Sequence, residues 1–289
     1  MRRTVALLAV GVLAVSLAAP LMAQLVVPAL AIAFWRNALG TGVLVPAVLT
    51  RRRAEVASLD RGQVVAIVVA GLCLAAHFGF WVTSLTMTSV ASSTAIVSLQ
   101  VVWVVGWDLV RGVPVPGRVL LGVLVAVIGA VVVSGVDLSV SRRALTGDLL
   151  ALVGSVAVAA YAVIGGHVRQ RVSTTTYTTG AYGVAALALG IAALVAGQDL
   201  GGYDADQWAW LVLLAATAQL LGHSVFNHLL ATVTPTVVSL ALLLEIPGAA
   251  IIAGFWLDQV PGFGAVVGLV LILAGMSVVI RTRPTAPAS

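Results

Sequence analysis

Ala75–Ser93 reads AAHFGFWVTSLTMTSVASS, and Leu221–Ser239 reads LGHSVFNHLLATVTPTVVS. Laid over each other at a shift of 146 residues (223 − 77), they place His77 on His223, Phe80 on Phe226, Thr86 on Thr232 and Ser93 on Ser239. The same shift carries Gly122 onto Gly268, Gly129 onto Gly275 and Val133 onto Val279. With one residue of slippage, Leu99-Gln100 meets Leu244-Glu245, and Pro116-Gly117 meets Pro261-Gly262. A single match means little in so biased a composition. Their order across the same part of each half is the mark of an internal duplication.

What is duplicated follows from hydropathy. Of the 289 residues, 61% are hydrophobic and only 9% are charged. An ordinary soluble domain carries roughly 25% charged residues, and a soluble fold this apolar would expose a large sticky surface. The apolar runs are continuous and close to the length a helix needs to cross a hydrocarbon core of roughly 30 Å. They do not alternate as barrel strands do. Ten spans are expected, at 4–23, 29–49, 64–85, 89–110, 119–136, 147–167, 177–197, 208–230, 236–257 and 263–281. No connector has room for a soluble domain, and the tail Arg283–Ser289, with Pro284 and Pro287, reads as disordered.

All fifteen basic residues are Arg. They lie between the apolar runs and form no basic domain with interleaved aromatics, so nucleic acid is not an expected partner; the lipid bilayer is. With a cytoplasmic N-terminus and ten spans, twelve of the fifteen face the cytoplasm: Arg2, Arg3, Arg51, Arg52, Arg53, Arg61, Arg111, Arg118, Arg169, Arg171, Arg281 and Arg283. Arg142 and Arg143 fall outside and Arg36 falls within a span. Both termini are therefore expected to be cytoplasmic, in a bacterial inner membrane. Arg2 and Arg3, the apolar stretch after them and Met22-Ala23-Gln24 also fit a signal peptide, but its removal would leave nine spans and break a five-plus-five plan. Cys73 stands alone, so no intramolecular disulfide can form.

Each half then holds five spans, and an odd number forces the second half to enter the membrane in the opposite sense. The expected fold is an all-α membrane protein of ten transmembrane helices in two inverted five-helix repeats, residues 1–140 and 141–289. Inverted repeats are a transporter architecture, because the halves can exchange conformations around a central site.

Three segments resemble the EamA-type branch of the drug/metabolite transporter superfamily. Pro28–Gly40 (PALAIAFWRNALG) looks like the family's second helix, with Arg36 at its recurrent arginine. Gly147–Arg171 (GDLLALVGSVAVAAYAVIGGHVRQR) looks like its sixth. Leu221–Pro261 carries the Glu-x-Pro-x-Gly-Ala-Ala element as Glu245, Pro247, Gly248, Ala249 and Ala250. The Leu-Gly-Glu common after that helix is replaced by Leu257-Asp258, and in the first repeat Gln100 is followed by Val101 and Val102 where a proline is usual. The resemblance implies ten helices in inverted repeats, a cavity lined mainly by the third, fourth, eighth and ninth, and export or exchange of amino acids and related metabolites.

Ionisable groups at membrane depth read as functional candidates. Glu245 lies mid-span on a face shared with Ala241, Gly248, Ala249, Ile252 and Trp256. It is either a cavity carboxylate that binds an amine or carries a coupling proton, or a structural group bonded to a neighbouring helix. Gln219, His223 and Asn227 follow each other at intervals of four and share a face. His77 and Trp81 form the matching face of the third span, and Ser93, Gln100, Trp103 and Trp107 one sector of the fourth. His77, Trp81, Ser93, Gln100, Trp103, Gln219, His223, Asn227 and Glu245 are the expected cavity residues, with Glu245 and His223 as candidates for proton coupling. Arg36 can snorkel, pair with a buried acid or bind an anionic substrate group; a structural partner is favoured.

The expected function is a small-molecule transporter working by alternating access. An uncoupled channel or uniporter is the alternative within transport. A membrane enzyme is disfavoured: Gly222-His223-Ser224 places neighbours about 100° apart on a helix, which makes no nucleophile–base pair, and no zinc-protease, Walker or dinucleotide motif is present. A haem bundle using His77 and His223 is disfavoured too, since the repeat explains the pair. No cofactor and no metal are expected.

Overall fold

A computed structural model describes residues 2–135, 141–258 and 262–280. Expectations placed on 136–140, on Pro261, on Arg281 and Arg283 and on the tail lie outside these residues, as does the side chain of Val279. The described residues are helical and contain no strand: α1 (Arg2–Ser16), α2 (Ala18–Gln24), α3 (Ala29–Arg51), α4 (Arg53–Ala57), α5 (Arg61–Ser84), α6 (Val90–Val97), α7 (Gln100–Val110), α8 (Gly117–Gly135), α9 (Arg142–Val168), α10 (Thr174–Val195), α11 (Ala205–Leu214), a π-helical stretch Ala215–His223, α12 (Ser224–Leu229), α13 (Pro235–Leu242), α14 (Glu245–Trp256) and α15 (Phe263–Ile280). Joined across their breaks, they give eight helices long and apolar enough to cross a membrane, and two shorter apolar helices, Gly117–Val133 and Phe263–Gly275. The protein is a multi-pass membrane protein.

The ends are set by local chemistry. Asp60 and Gln63 form a capping box at the start of α5, each side chain bonding the other's backbone N–H at 2.8 and 3.0 Å. Ser89, Ser141, Ser173 and Thr234 cap α6, α9, α10 and α13 through their hydroxyls. Gly197, at φ 66°, ends α10 in the left-handed region where a side chain would be strained.

The breaks matter more. Pro20 has no N–H for the Ser16 carbonyl, and the first long helix is interrupted at Leu17 between α1 and α2. α6 and α7 are separated at Ser98-Leu99, α13 and α14 at Leu243-Leu244, which are equivalent positions at the slipped register. Around both breaks the ladder tightens to bonds three residues apart. Leu99 N–H reaches Ile96 O at 3.1 Å and Val102 N–H reaches Leu99 O at 2.9 Å. Leu244 N–H reaches Ala241 O at 3.1 Å and Ile246 N–H reaches Leu243 O at 3.3 Å. Pro247 accounts for the second: it cannot bond Leu243 O, and Ile246 takes that carbonyl instead. The first break has no proline.

Three apolar clusters hold the bundle. One joins α2, α3, α5, α9 and α10 around Leu74, Phe78, Tyr177 and Tyr182. Another joins α6, α7 and α8 to α13, α14 and α15. A third packs α1 on α12 and α13. α8 and α15 run antiparallel with glycines at their crossing. A β-carbon on Gly129 would lie 2.6 Å from Gly268 O, and one on Gly275 would collide with Gly122 O. At the 146-residue shift Gly122 corresponds to Gly268 and Gly129 to Gly275, so the two contacts exchange partners as a two-fold pairing does. Leu13, Leu124, Leu187 and Phe255 stay exposed on the outside, where lipid replaces water and no burial is required.

Glu55 of α4 reaches across to the second half. Its Oε1 accepts the Ser173 N–H at the start of α10 at 2.6 Å, and Arg52 lies 3.6 Å from its other oxygen. Burial opposes ionisation of Glu55, but the Ser173 bond and the Arg52 charge outweigh it and hold the carboxyl below its usual range. A carboxyl whose folded value is lowered stabilises fully above its unfolded value, and the contribution is lost as pH falls through the folded value. The wild type should therefore lose thermal stability between about pH 6 and pH 3 more steeply than Glu55→Gln. Parallel melting curves of the two across that range would dismiss the clamp.

Candidate functional site

The two breaks face one cavity. Its wall takes His77 and Trp81 from α5, Val97, Ser98 and Gln100 from the α6–α7 break, Val158, Tyr161 and Ala162 from α9, His223, Phe226 and Asn227 from the end of the π-helical stretch and α12, Val238 and Leu242 from α13, and Glu245 from the first turn of α14. It holds about 570 Å³ of unfilled space, open mouth included. Polar groups from both halves thus meet in a mostly apolar chamber, the usual composition of a small-molecule site.

His77 stacks on Trp81 with centroids 5.5 Å apart and 18° between planes. Its Nδ1 lies 3.1 Å from Gly154 O. A carbonyl can only accept, so that nitrogen carries the proton and neutral His77 keeps a lone pair on Nε2. His223, its partner under the shift, lies 6.4 Å away ring to ring. Tyr161 donates to Asn227 Oδ1 at 2.8 Å, and Asn227 Nδ2 donates to Tyr182 Oη at 3.5 Å. Gln100 and Glu245 occupy equivalent places, each the first residue after a break. Both are buried; Gln100 Oε1 has no hydrogen-bond donor among the described residues, and burial and the Arg36 charge, not a hydrogen bond, dominate the surroundings of the Glu245 carboxyl.

Six of the nine expected cavity residues line this wall: His77, Trp81, Gln100, His223, Asn227 and Glu245. Three do not. Ser93 is buried against Ser84, hydroxyl to hydroxyl at 2.5 Å. Trp103 is half-exposed on the outside and donates to Ser155 Oγ at 2.8 Å. The expectation that Ser93, Gln100 and Trp103 share a sector assumes one continuous helix, and the break at Ser98-Leu99 removes that register. Gln219 lies behind the wall, fully buried. Glu245 likewise parts from Gly248, which packs on Ser16 of α1.

Gln219 belongs to Arg36. Arg36 has no exposed surface, so it does not snorkel, and among the described residues no carboxylate lies within 4 Å of it. Its Nε donates to Gln219 Oε1 at 2.9 Å, its Nη1 to Met22 Sδ at 3.7 Å, and its guanidinium lies 3.9 Å over the Phe78 ring. Gln219 Nε2 in turn donates to Asn37 Oδ1 at 3.0 Å. The other face of this network meets the cavity through Phe78, whose ring is edge-on to His223 at 5.2 Å. The π-helical stretch makes this geometry: Ser224 N–H bonds Gln219 O five residues back, and Tyr182 and Ser224 hydroxyls bond that carbonyl too, each at 3.3 Å. Such bulges recur at functional positions in helices.

Tyr161 and Ser98 are wall residues that sequence reasoning passed over. Tyr161 is the single aromatic of α9, which is the signal that was available. Among the described residues no three His, Cys, Asp or Glu side chains converge as metal ligands would.

No curated protein matches the chain. A solved structure described only as a crystal structure of a protein shares the fold, with a TM-score of 0.76 over 96% of each chain at 16% identity. The model of the EamA-like transporter family matches twice, over residues 2–135 and 145–281. Those two matches take in both broken helices and every wall residue of the cavity, and the chain belongs to the EamA-like transporter family.

Proposed function

We propose that the protein carries a small organic metabolite through this cavity by alternating access between two five-helix halves, residues 1–140 and 141–289. The observation that carries the proposal is the pairing at the cavity. Its wall is built from equivalent elements of both halves, with the α6–α7 and α13–α14 breaks facing it and His77 against His223. Broken helices at such an interface free backbone and side chains to bind, and rocking of one half against the other opens the site to either side. The exchanged glycine contacts of α8 and α15 support an inverted relation of the halves and a ten-span count. The arginine distribution supports cytoplasmic termini in a bacterial inner membrane. Export of amino acids or related metabolites is the direction and substrate range we favour, on the family's habit.

Counterflow of labelled metabolites in vesicles, together with intracellular and external metabolite levels in cells with and without the protein, tests this reading. No exchange of any metabolite and no change in either pool would end it. Glu245 and His223 are proposed to couple transport to protons. Glu245→Gln should abolish acceleration by an imposed pH gradient and reduce exchange by about a hundredfold. Wild-type flux indifferent to both the gradient and the substitution would leave uncoupled uniport as the mechanism.

A further inference from the structure

The polar groups of the wall are unequally committed. Asn227 Oδ1 is occupied by Tyr161, and Asn227 Nδ2 is turned to Tyr182. Among the described residues Gln100 Oε1 has no donor, and the Glu245 carboxyl faces the cavity with no hydrogen bond among the causes that act on it. His77 has its N–H on Gly154 O, which in the neutral ring leaves a lone pair on the other nitrogen. Each of these three residues offers an acceptor, and Glu245 is the one acid of the wall. The wall also carries donors, namely the Trp81 indole N–H, the Gln100 amide, the His223 ring and the Ser98 hydroxyl, but neither a lysine nor an arginine lines it to balance a carboxylate beside Glu245. Arg36 acts on Glu245 and His223 through its charge, but its guanidinium lies over the Phe78 ring and does not line the wall. Buried acceptors without donors cost stability unless a ligand satisfies them. A primary ammonium brings three N–H donors and a positive charge, and the stacked His77–Trp81 pair offers a ring face to a cation or to a flat apolar tail.

We infer that the cavity recognises the primary ammonium of an organic amine with an apolar or aromatic tail and no carboxylate, with Gln100 Oε1 and Glu245 as acceptors and the Trp81 and His77 rings along the tail. This rests on the cavity being the transport site. Within the range of amino acids and related metabolites favoured above, it selects amines that lack the acid group over the amino acids themselves.

Four probes of similar shape separate the charge types: 2-phenylethylamine, phenylalanine, 3-phenylpropionate and 2-phenylethanol. Binding is measured by calorimetry on the purified full chain, and exchange by counterflow in vesicles. The amine should bind at least about tenfold more tightly than phenylalanine, because the added carboxylate meets a like charge. Propionate and alcohol should not bind measurably. Gln100→Leu should weaken the amine about tenfold and Glu245→Gln about a hundredfold. If Glu245→Gln does not fold, Gln100→Leu and the probe series decide alone. Equal or tighter binding of phenylalanine, binding of the propionate, or no binding of the amine overturns the inference. Exchange of another charge type in those cases leaves the transport reading standing. Amine binding without exchange of any probe keeps the inference and removes transport.

Discussion

Gly129→Val should lower the folded stability of the protein by at least about 3 kcal/mol, the upper end of what overpacking costs. The reason is geometric. A β-carbon at Gly129 would sit 2.6 Å from Gly268 O and 2.9 Å from Ile272 N, where a carbon–oxygen contact needs about 3.3 Å. Both obstacles are backbone, so no rotamer change relieves them. α8 and α15 would have to separate by roughly 0.7 Å, and a gap of that order forfeits a quarter or more of each dispersion contact along the crossing. In lipid no hydrophobic term compensates, since the exposed surfaces find acyl chains as apolar as the partner helix. Gly268→Val should act alike, because its β-carbon would lie 2.5 Å from Gly129 O. Leu124→Ala on the exposed face of α8 is the control and should be close to neutral. Melting of the detergent-solubilised protein, followed by the loss of the monodisperse size-exclusion peak, measures this. A Gly129→Val variant that melts with the wild type would mean that the helices do not touch at this crossing.

These glycines also show where sequence reading reaches and where it stops. The shift that aligns Gly122 with Gly268 and Gly129 with Gly275 was visible in the chain, because duplication leaves residues in register. That the same glycines touch each other was not, because alignment gives equivalence and not contact. The long apolar runs declared themselves through length alone. The α6–α7 break did not: Val97–Gln100 contains neither proline nor glycine, and only Pro247 in the equivalent helix hinted at it. Assigning faces across that break is what displaced Ser93 and Trp103 from the wall. His77, Gln100, His223 and Glu245 were found because a polar group at membrane depth must face protein or water. Tyr161 was missed because an aromatic in an apolar helix obeys no such constraint. The partner of Arg36 was beyond reach for a different reason: Gln219 is 183 residues away and neutral, so neither spacing nor charge complementarity pointed to it.

That partnership yields the second large effect. Gln219→Leu should destabilise the protein by about 3 kcal/mol or more, the range seen when a buried charge loses its partner. The substitution takes the acceptor from Arg36 Nε while the guanidinium remains fully buried, with Met22 Sδ and the Phe78 ring as its remaining contacts among the described residues. It also leaves Asn37 Oδ1 without its donor. Arg36→Met is milder, about 1–3 kcal/mol, because what it strands is one neutral acceptor on Gln219. The double variant gives the diagnostic outcome. With the cation gone, loss of Gln219 strands only Asn37 Oδ1, so Arg36→Met/Gln219→Leu should be more stable than Gln219→Leu alone, with a coupling of about 2 kcal/mol. Rescue by removing a second residue is specific to a buried charge held by that one side chain. If the two losses simply add, Arg36 is satisfied by something other than Gln219, and its place behind Phe78 would then have to be explained by the ligand and not by the fold.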